Sequence, residues 1–263
     1  SVNVREALDA AQALGAEAIA VCLLFSFAHP RHELEIAELA REFAPELQVS
    51  LSHQAVGTFR EYERCATTIA DAALGPLLSG YLARLSDRAL ALGLPEPQVM
   101  LSNGGTVPAR TAGANASWTV LSGPAGGAVG AARSAMRRGA THALAFDMGG
   151  TSTDISLIDE GEVAVVAARE IDGRPIALPS VDVSTVGAGG GSIAWQDEGG
   201  ALRVGPQSAG ARPGPACYGH GGREATVTDA NLLIGYLADE SELAGGLRLD
   251  RQGVEALRTL GPD

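Results

Sequence analysis

Leu144-Ala-Phe-Asp147-Met-Gly149-Gly150-Thr151-Ser-Thr153-Asp154-Ile-Ser-Leu-Ile158 decides how this chain is read. An apolar strand ends on an aspartate. A Gly-Gly turn follows, then two threonines, a second aspartate and another apolar strand. Glycines at the bend let the backbone approach a ligand closely and aim its N–H groups at an anion. The threonine hydroxyls can donate to phosphate oxygens. Carboxylates only accept, so they suit a divalent cation or its waters. Donors and carboxylates in one hairpin form the set that a magnesium-nucleotide requires. Asp147 and Asp154 are therefore the candidate catalytic and metal-holding groups, and Gly149, Gly150, Thr151 and Thr153 the candidate phosphate contacts. The alternative is an ordinary β-hairpin with an Asx-rich turn.

Composition narrows the chemistry around that hairpin. A net charge of −12 disfavours nucleic acid and anionic membranes as partners. All 19 basic residues are arginine. Without lysine there is no P-loop of the usual kind and no Schiff-base or pyridoxal-phosphate chemistry. A nucleotide would have to be held by backbone amides, hydroxyls and a metal. The 3 cysteines are widely spaced and odd in number, which suits a reducing compartment and gives the expectation of a cytoplasmic protein. No apolar run approaches the length of a membrane span. The sequence opens on Ser1 rather than Met, so it is expected to be a piece of a longer polypeptide.

Along the chain, helix 4–14 leads to strand 18–25, a helix entered at Pro30 that runs to about Phe43, and a short strand at 48–52, which together make a βαβ unit. His29 and His32 beside Glu33 could be ligands, or could simply form an N-terminal helical turn. Residues 61–92 read as a long helix, with Tyr62, Ala66, Ile69, Ala73, Leu77, Tyr81 and Leu85 recurring every three or four residues. Gly75-Pro76 is expected to kink or split it. Glu61, Arg64 and Thr68 share a face, as a buried polar cluster, a substrate contact or a surface ion pair. A strand at 99–103 ends on Gly104-Gly105, and Pro124 marks the first turn of a glycine-rich helix that closes at Arg137-Arg138-Gly139. After the hairpin, a third strand at 163–167 should complete a meander.

Val186-Gly187-Ala-Gly189-Gly190-Gly191-Ser192 lacks the last glycine of a dinucleotide fingerprint and runs into a strand, so that reading is rejected. It remains either a phosphate- or substrate-facing loop or a flexible turn. Residues 208–222 are dense in Gly and Pro but carry Arg212, Cys217, Tyr218 and His220, which favours an ordered loop. Cys217 and His220 have the spacing of a metal pair with no second pair nearby, so a packed loop is preferred to zinc. Thr228 or Asp229 is the N-cap candidate of the next helix, and 251–260 forms the last helix.

Several of these segments together resemble the hydantoinase A/5-oxoprolinase family. They are Ser26-Phe-Ala-His-Pro-Arg-His-Glu33, Arg60-Glu-Tyr-Glu-Arg64, Leu121-Ser-Gly-Pro-Ala-Gly-Gly127, the Asp147 hairpin, Gly187-Ala-Gly-Gly-Gly-Ser192, Gly205-Pro-Gln-Ser-Ala-Gly-Ala211, Gly214-Pro-Ala-Cys-Tyr218 and Thr226-Val-Thr-Asp-Ala-Asn231. The family includes ATP-dependent N-methylhydantoinase, 5-oxoprolinase and subunits of acetone and acetophenone carboxylases. His220 and Tyr236 depart from it, standing where the family pattern suggests arginine.

The resemblance implies an α/β fold of the actin, sugar kinase and heat-shock chaperone type, a ribonuclease-H-like sheet flanked by helices. Two related halves then clasp ATP, each with a phosphate hairpin. The Asp147 hairpin looks like the second, and 121–132 like the helix before it. The first hairpin would lie upstream of Ser1 and the adenosine segment downstream of Asp263, so weak ATP binding by this chain alone is expected. Residues 1–55 would be the end of the N-terminal half, and 56–263 the core domain with a partial second half of the clasp.

The implied chemistry is ATP- and magnesium-dependent opening of a cyclic amide or imide, of hydantoin or 5-oxoproline type, through a phosphorylated intermediate. Gly189, Gly190, Gly191, Ser192 and Asp229 would be further nucleotide contacts, and a hydantoinase B-type subunit the partner. A carboxylase subunit and a non-catalytic actin-like scaffold are the alternatives.

Overall fold

Ala18–Val21 and Gln48–Leu51 pair in parallel, with Ala18 opposite Gln48 and Val21 opposite Leu51, and the helix Arg31–Phe43 crosses between them. This is the βαβ unit expected from the sequence. The first strand is shorter than expected because residues 24–28 turn, with Phe25 at φ +59°. The computed structural model describes residues 2–238, 242–243 and 245–257. It divides them into two units, one of residues up to Ala143 together with Ile158–Asp182, the other of Leu144–Leu157 with residues from Val183 onward.

In the first unit, Leu8, Ala40, Ala44 and Leu47 form the core beneath the βαβ layer. Glu33, in the first turn of the crossover helix, points into this unit and is fully buried. Its Oε1 accepts from the Leu23 N–H at 2.9 Å and the Ser52 hydroxyl at 2.6 Å. Its Oε2 accepts from the His53 N–H at 3.1 Å and from His53 Nδ1 at 2.7 Å. An ionised carboxylate cannot donate, so Nδ1 carries the proton. His29 and His32 are exposed, and Glu33 stands in the first turn of the helix, as the helical-turn alternative has it. Burial alone would raise the Glu33 pKa above its ordinary 4.5. The hydrogen bonds from Ser52, His53 and the Leu23 and His53 backbone outweigh that and hold it lower. Stabilisation by the charged form is thus complete above pH 4.5 and lost as pH falls through the lowered folded value. Glu33→Gln should cost about 3 kcal/mol at neutral pH, because an amide sets a donor against donors. Urea unfolding at pH 7 and pH 3 checks this, since the gap between wild type and variant should shrink in acid.

The long helix spans Glu61–Ala91 and is not split by Pro76. Its turn at Gly75 lies against Gln48, leaving no room for a Cβ, and Ser79 donates to Gln48 Oε1 at 3.2 Å. The apolar periodicity locates the helix, but the buried face is a different one. Tyr62 is 71% and Leu77 80% exposed, while Arg64, Thr67, Thr68, Asp71 and Ala72 are buried. Gln98–Met100 and Thr106–Pro108 form an antiparallel hairpin whose second strand is too short to read from sequence. The glycine-rich helix runs Ser122–Arg137 and ends at Gly139, φ +77°. The expected third strand is broken in two. Glu162–Val163 pairs with Asp159 and Ile158, and Val165–Val166 turns away to pair with Ser180–Val181.

The strands Ala143–Met148 and Thr153–Asp159, whose residues from Leu144 to Leu157 belong to the second unit, form the sequence-predicted hairpin, and Ser184–Val186 pairs antiparallel with Thr153, Asp154 and Ile155. Ser192–Gln196 and Leu202–Ser208 make a second hairpin. Ala216, Cys217, Leu232, Leu249 and Val254 form this unit's core. The last helix is described as Arg251–Leu257, and residues 258–260 of the expected helix lie outside the described residues.

Candidate functional site

The hairpin turn is closed by the Gly149 N–H donating to the Ser152 carbonyl at 2.8 Å. The glycine loop after Val186 packs directly onto it. Gly190 N–H donates to the Gly149 carbonyl at 2.9 Å, and Gly191 N–H to the Gly150 carbonyl at 2.6 Å. A Cβ on Gly189 would stand 2.7 Å from Thr151 N and 2.8 Å from Gly149 O. On Gly191 it would stand 2.9 Å from Ser208 Oγ and 3.0 Å from Gly150 O. Glycine is required here because two backbones touch. The two segments read separately from sequence are one construction.

Three of the sequence-derived candidates hold that construction together. Thr153 is buried and donates its hydroxyl to the Ala188 carbonyl. Ser192 Oγ accepts from Gly189 N–H at 2.8 Å. The Asp229 carboxylate, 1% exposed, accepts from Ala216 N at 3.3 Å, Cys217 N at 2.8 Å, Thr226 N at 3.0 Å and the Thr226 hydroxyl at 2.8 Å. The N-cap of Val227–Leu233 is Thr226, with Asp229 reaching back from the third helical position in a capping box. This corrects the expectation of Thr228 or Asp229. Thr228 instead donates to the Gly190 carbonyl through both N–H and Oγ1, each at 2.8 Å. Nothing in the local sequence signals that link.

The side chains left available are Asp147, Thr151 and Asp154. Asp147 and Thr151 are exposed, and neither side chain has a hydrogen-bond partner among the described residues. Asp154 is half-buried, and its Oδ1 accepts from the Thr185 hydroxyl at 2.7 Å. Among the described residues no group of three or more His, Cys, Asp or Glu is placed to hold a metal ion. Two carboxylates nevertheless suit magnesium, which keeps waters and takes its other ligands from substrate phosphates.

The 208–222 loop is ordered by the Asp229 carboxylate, as its Tyr and Cys content suggested. Cys217 is fully buried, and burial, followed by the neighbouring Asp229, pushes its thiol up to about 12. It is a neutral core group, while His220 is exposed. This is the packed loop rather than a metal pair.

The hydantoinase/oxoprolinase profile matches residues 64–259, and that of the hydantoinase/oxoprolinase N-terminal region matches residues 1–44. The chain belongs to the hydantoinase/oxoprolinase family. Subunit alpha of the caprolactamase of Pseudomonas jessenii is 38% identical over 258 residues, 97% of this chain and 37% of that one. The crystal structure of the ATP-dependent caprolactamase from that organism matches at TM-score 0.75 and 37% identity, over 97% of this chain and 37% of that one. 5-Oxoprolinase 1 of Arabidopsis thaliana is 42% identical over 230 residues, 85% of this chain and 17% of that protein. A nucleotide-free acetone carboxylase structure, from work on ATP-dependent acetone carboxylation, matches at TM-score 0.75 and 29% identity, over 98% of this chain and 37% of that one. The chain thus spans well under half the length of these relatives. The α/β fold of this hydantoinase/oxoprolinase member is the actin-like one that the family resemblance implies. Among the described residues no helix is long and apolar enough to cross a membrane.

Proposed function

We propose that the protein carrying this chain opens a small cyclic amide or imide at the expense of ATP, through a phosphorylated intermediate. The observation that carries the reading is the glycine loop clamped on the 149–151 turn, with Asp147, Thr151 and Asp154 left as the available polar side chains. The names of the caprolactamase and oxoprolinase relatives supply the substrate class.

Amide carbons resist neutral water. Transfer of the γ-phosphoryl group to the amide oxygen makes that carbon electrophilic. Water then adds to it, the C–N bond breaks and the ring nitrogen takes a proton. A second water releases phosphate from the resulting acyl phosphate. Much of phosphoryl-transfer catalysis is positioning and charge neutralisation. The Gly150 and Thr151 N–H groups and the Thr151 hydroxyl would bind phosphate oxygens, while the Gly149 N–H is taken up by the Ser152 carbonyl. Asp147 and Asp154 would hold magnesium, which supplies charge neutralisation when bound. Thr153, Ser192 and Asp229 act as positioning residues, because their polar atoms already hold the turn, the loop and the 216–217 backbone.

A hydantoinase B-type subunit is the partner we propose. The exposed stripe of Tyr62, Ile69, Leu77 and Tyr81 on the long helix supports a further protein contact. The equal TM-score to acetone carboxylase favours one second reading, a nucleotide-binding carboxylase subunit. The test is ADP formation by the full protein with magnesium-ATP and caprolactam, hydantoin or 5-oxoproline. Ring-dependent ADP release matched one to one by opened product is expected. ADP release only with bicarbonate and a ketone would establish the carboxylase reading instead.

A further inference from the structure

The long helix carries a buried polar face that the phosphate hairpin does not use. Arg64, Thr67, Thr68 and Asp71 follow i, i+3, i+4, i+7 spacing, and all are at most 4% exposed. Burying a guanidinium, a carboxylate and two hydroxyls is costly unless each is bonded. Three of them bond outward, to separate parts of the chain. Arg64 Nη1 donates to the Thr58 carbonyl at 3.1 Å, and Nη2 to the Leu23 carbonyl at 2.7 Å. Thr67 Oγ1 accepts from Ala177 N–H at 2.9 Å. Asp71 Oδ1 accepts from Ser117 N–H at 2.8 Å, and Oδ2 from the Ser50 hydroxyl at 2.7 Å.

Thr58, Ala177 and Trp118, the residue after Ser117, all line one cleft of about 360 Å³ within the first unit. Ser102 fixes the Trp118 carbonyl further, donating to it through N–H at 2.8 Å and Oγ at 2.9 Å. One helix face therefore holds three walls of one cleft. That is how a pre-organised binding site is supported, and hydrophobic packing alone would not require it.

The lining identifies the ligand chemistry. Leu101, Trp118 and Leu178 supply apolar surface; Gln54, Thr58 and Asn103 supply the polar side chains, and no lining residue is charged. Asn103 Oδ1 accepts from Gly105 N–H at 2.9 Å, which fixes the amide and leaves Nδ2 to donate. The Gln54 amide and the Trp118 indole N–H have no hydrogen-bond partner among the described residues. The volume lies within the range of small-molecule pockets, about 300–1,000 Å³.

We propose that this cleft seats the uncharged ring of the cyclic amide, with Gln54, Thr58 and Asn103 meeting its amide edge and Arg64, Thr67 and Asp71 acting as positioning residues. The proposal rests on the cyclic-amide reading above for its ligand class. An uncharged apolar cleft with neutral donors and acceptors matches a lactam or imide, and it penalises an added carboxylate, which would be desolvated without a cation.

The test is calorimetry on the full protein without nucleotide, with ε-caprolactam as the uncharged probe and 5-oxoproline as the carboxylate-bearing one. Caprolactam should bind, and 5-oxoproline at least tenfold more weakly. Thr58→Val and Asn103→Leu, both at exposed positions, should each raise the caprolactam Kd at least tenfold, with melting temperature unchanged in Thr58→Val and only slightly lowered in Asn103→Leu, which gives up the Gly105 hydrogen bond. Thr67→Val should raise it too, and Thr67→Ser should restore it; a merely structural role would move melting temperature and leave Kd alone. Absence of caprolactam binding, or a Kd unchanged in Thr58→Val and Asn103→Leu, overturns the proposal. The two readings fail separately. If caprolactam stimulates ATP turnover with an unchanged KM in both variants, the cleft assignment falls and the cyclic-amide reading stands. If it binds and the variants lose it while ATP turnover ignores it, the reverse holds.

Discussion

Gly189→Ala is expected to lower ATP turnover by at least about 100-fold, or about 2.7 kcal/mol of transition-state stabilisation. The added methyl would meet Thr151 N at 2.7 Å and Gly149 O and Gly150 C at 2.8 Å. All three are backbone atoms of the 149–151 turn, so no side chain can swing away. Either the turn moves or the glycine loop lifts off it, and both displace the N–H groups proposed to face phosphate. A misplacement of about 1 Å is enough for such a loss in positioning catalysis. Overpacking costs about 1–3 kcal/mol of stability as well. Gly187→Ala is the control, because a Cβ there meets nothing within 4 Å. Steady-state kinetics and melting curves on both variants check this. Gly189→Ala with turnover within threefold of wild type would show that the close approach does not shape the site.

The two sides of that contact differ in how far a sequence conveys them. The turn at Gly149-Gly150 was legible because its signal is local: strand, turn residues, strand. That Gly189 and Gly191 serve the same turn was not, because the contact spans some forty residues and glycines carry no side chain to betray it. His53 escaped for a related reason. Its partner Glu33 lies 20 residues away, beyond the range of any local pattern. The place of Asp229 at a helix start is legible and makes it an N-cap candidate, but its four donors come from Thr226 and from 216–217.

The long helix teaches a different lesson. Its extent was legible to within a residue or two, because period and propensity are local properties. Which face it buries was not. Hydrophobic periodicity marks the apolar stripe, and burial ordinarily follows it. Here Arg64, Thr67 and Asp71 are buried because they hold loops that arrive from residues 58, 117 and 177, and Leu77 and Tyr81 remain exposed. Tertiary hydrogen bonding reversed the assignment, and only coordinates reveal its partners. Where a polar face is buried against its own sequence pattern, function is the natural place to look.

Asp154→Ala is expected to lower kcat and kcat/KM together by at least about 100-fold while costing only about 1 kcal/mol of stability. A carboxylate that holds magnesium and orients water acts mainly on the transition state, so its loss should leave substrate affinity largely intact. The competing account is structural. Asp154 sits opposite Thr185 in the strand register, and its Oδ1 accepts from the Thr185 hydroxyl at 2.7 Å, so it could simply tie two strands together. Thr185→Val separates the accounts, because it removes the tie and keeps the carboxylate. If the carboxylate acts on the reaction, Thr185→Val should lose less than fivefold in kcat, and the two variants should share a similar small fall in melting temperature. Asp147→Asn has no such tie to lose, since its side chain is exposed and has no hydrogen-bond partner among the described residues. It should therefore reduce turnover with no change in melting temperature at all. Near-normal turnover in Asp154→Ala with a lowered melting point, matched by Thr185→Val, would make Asp154 a strut and leave Asp147 to carry the proposed magnesium role.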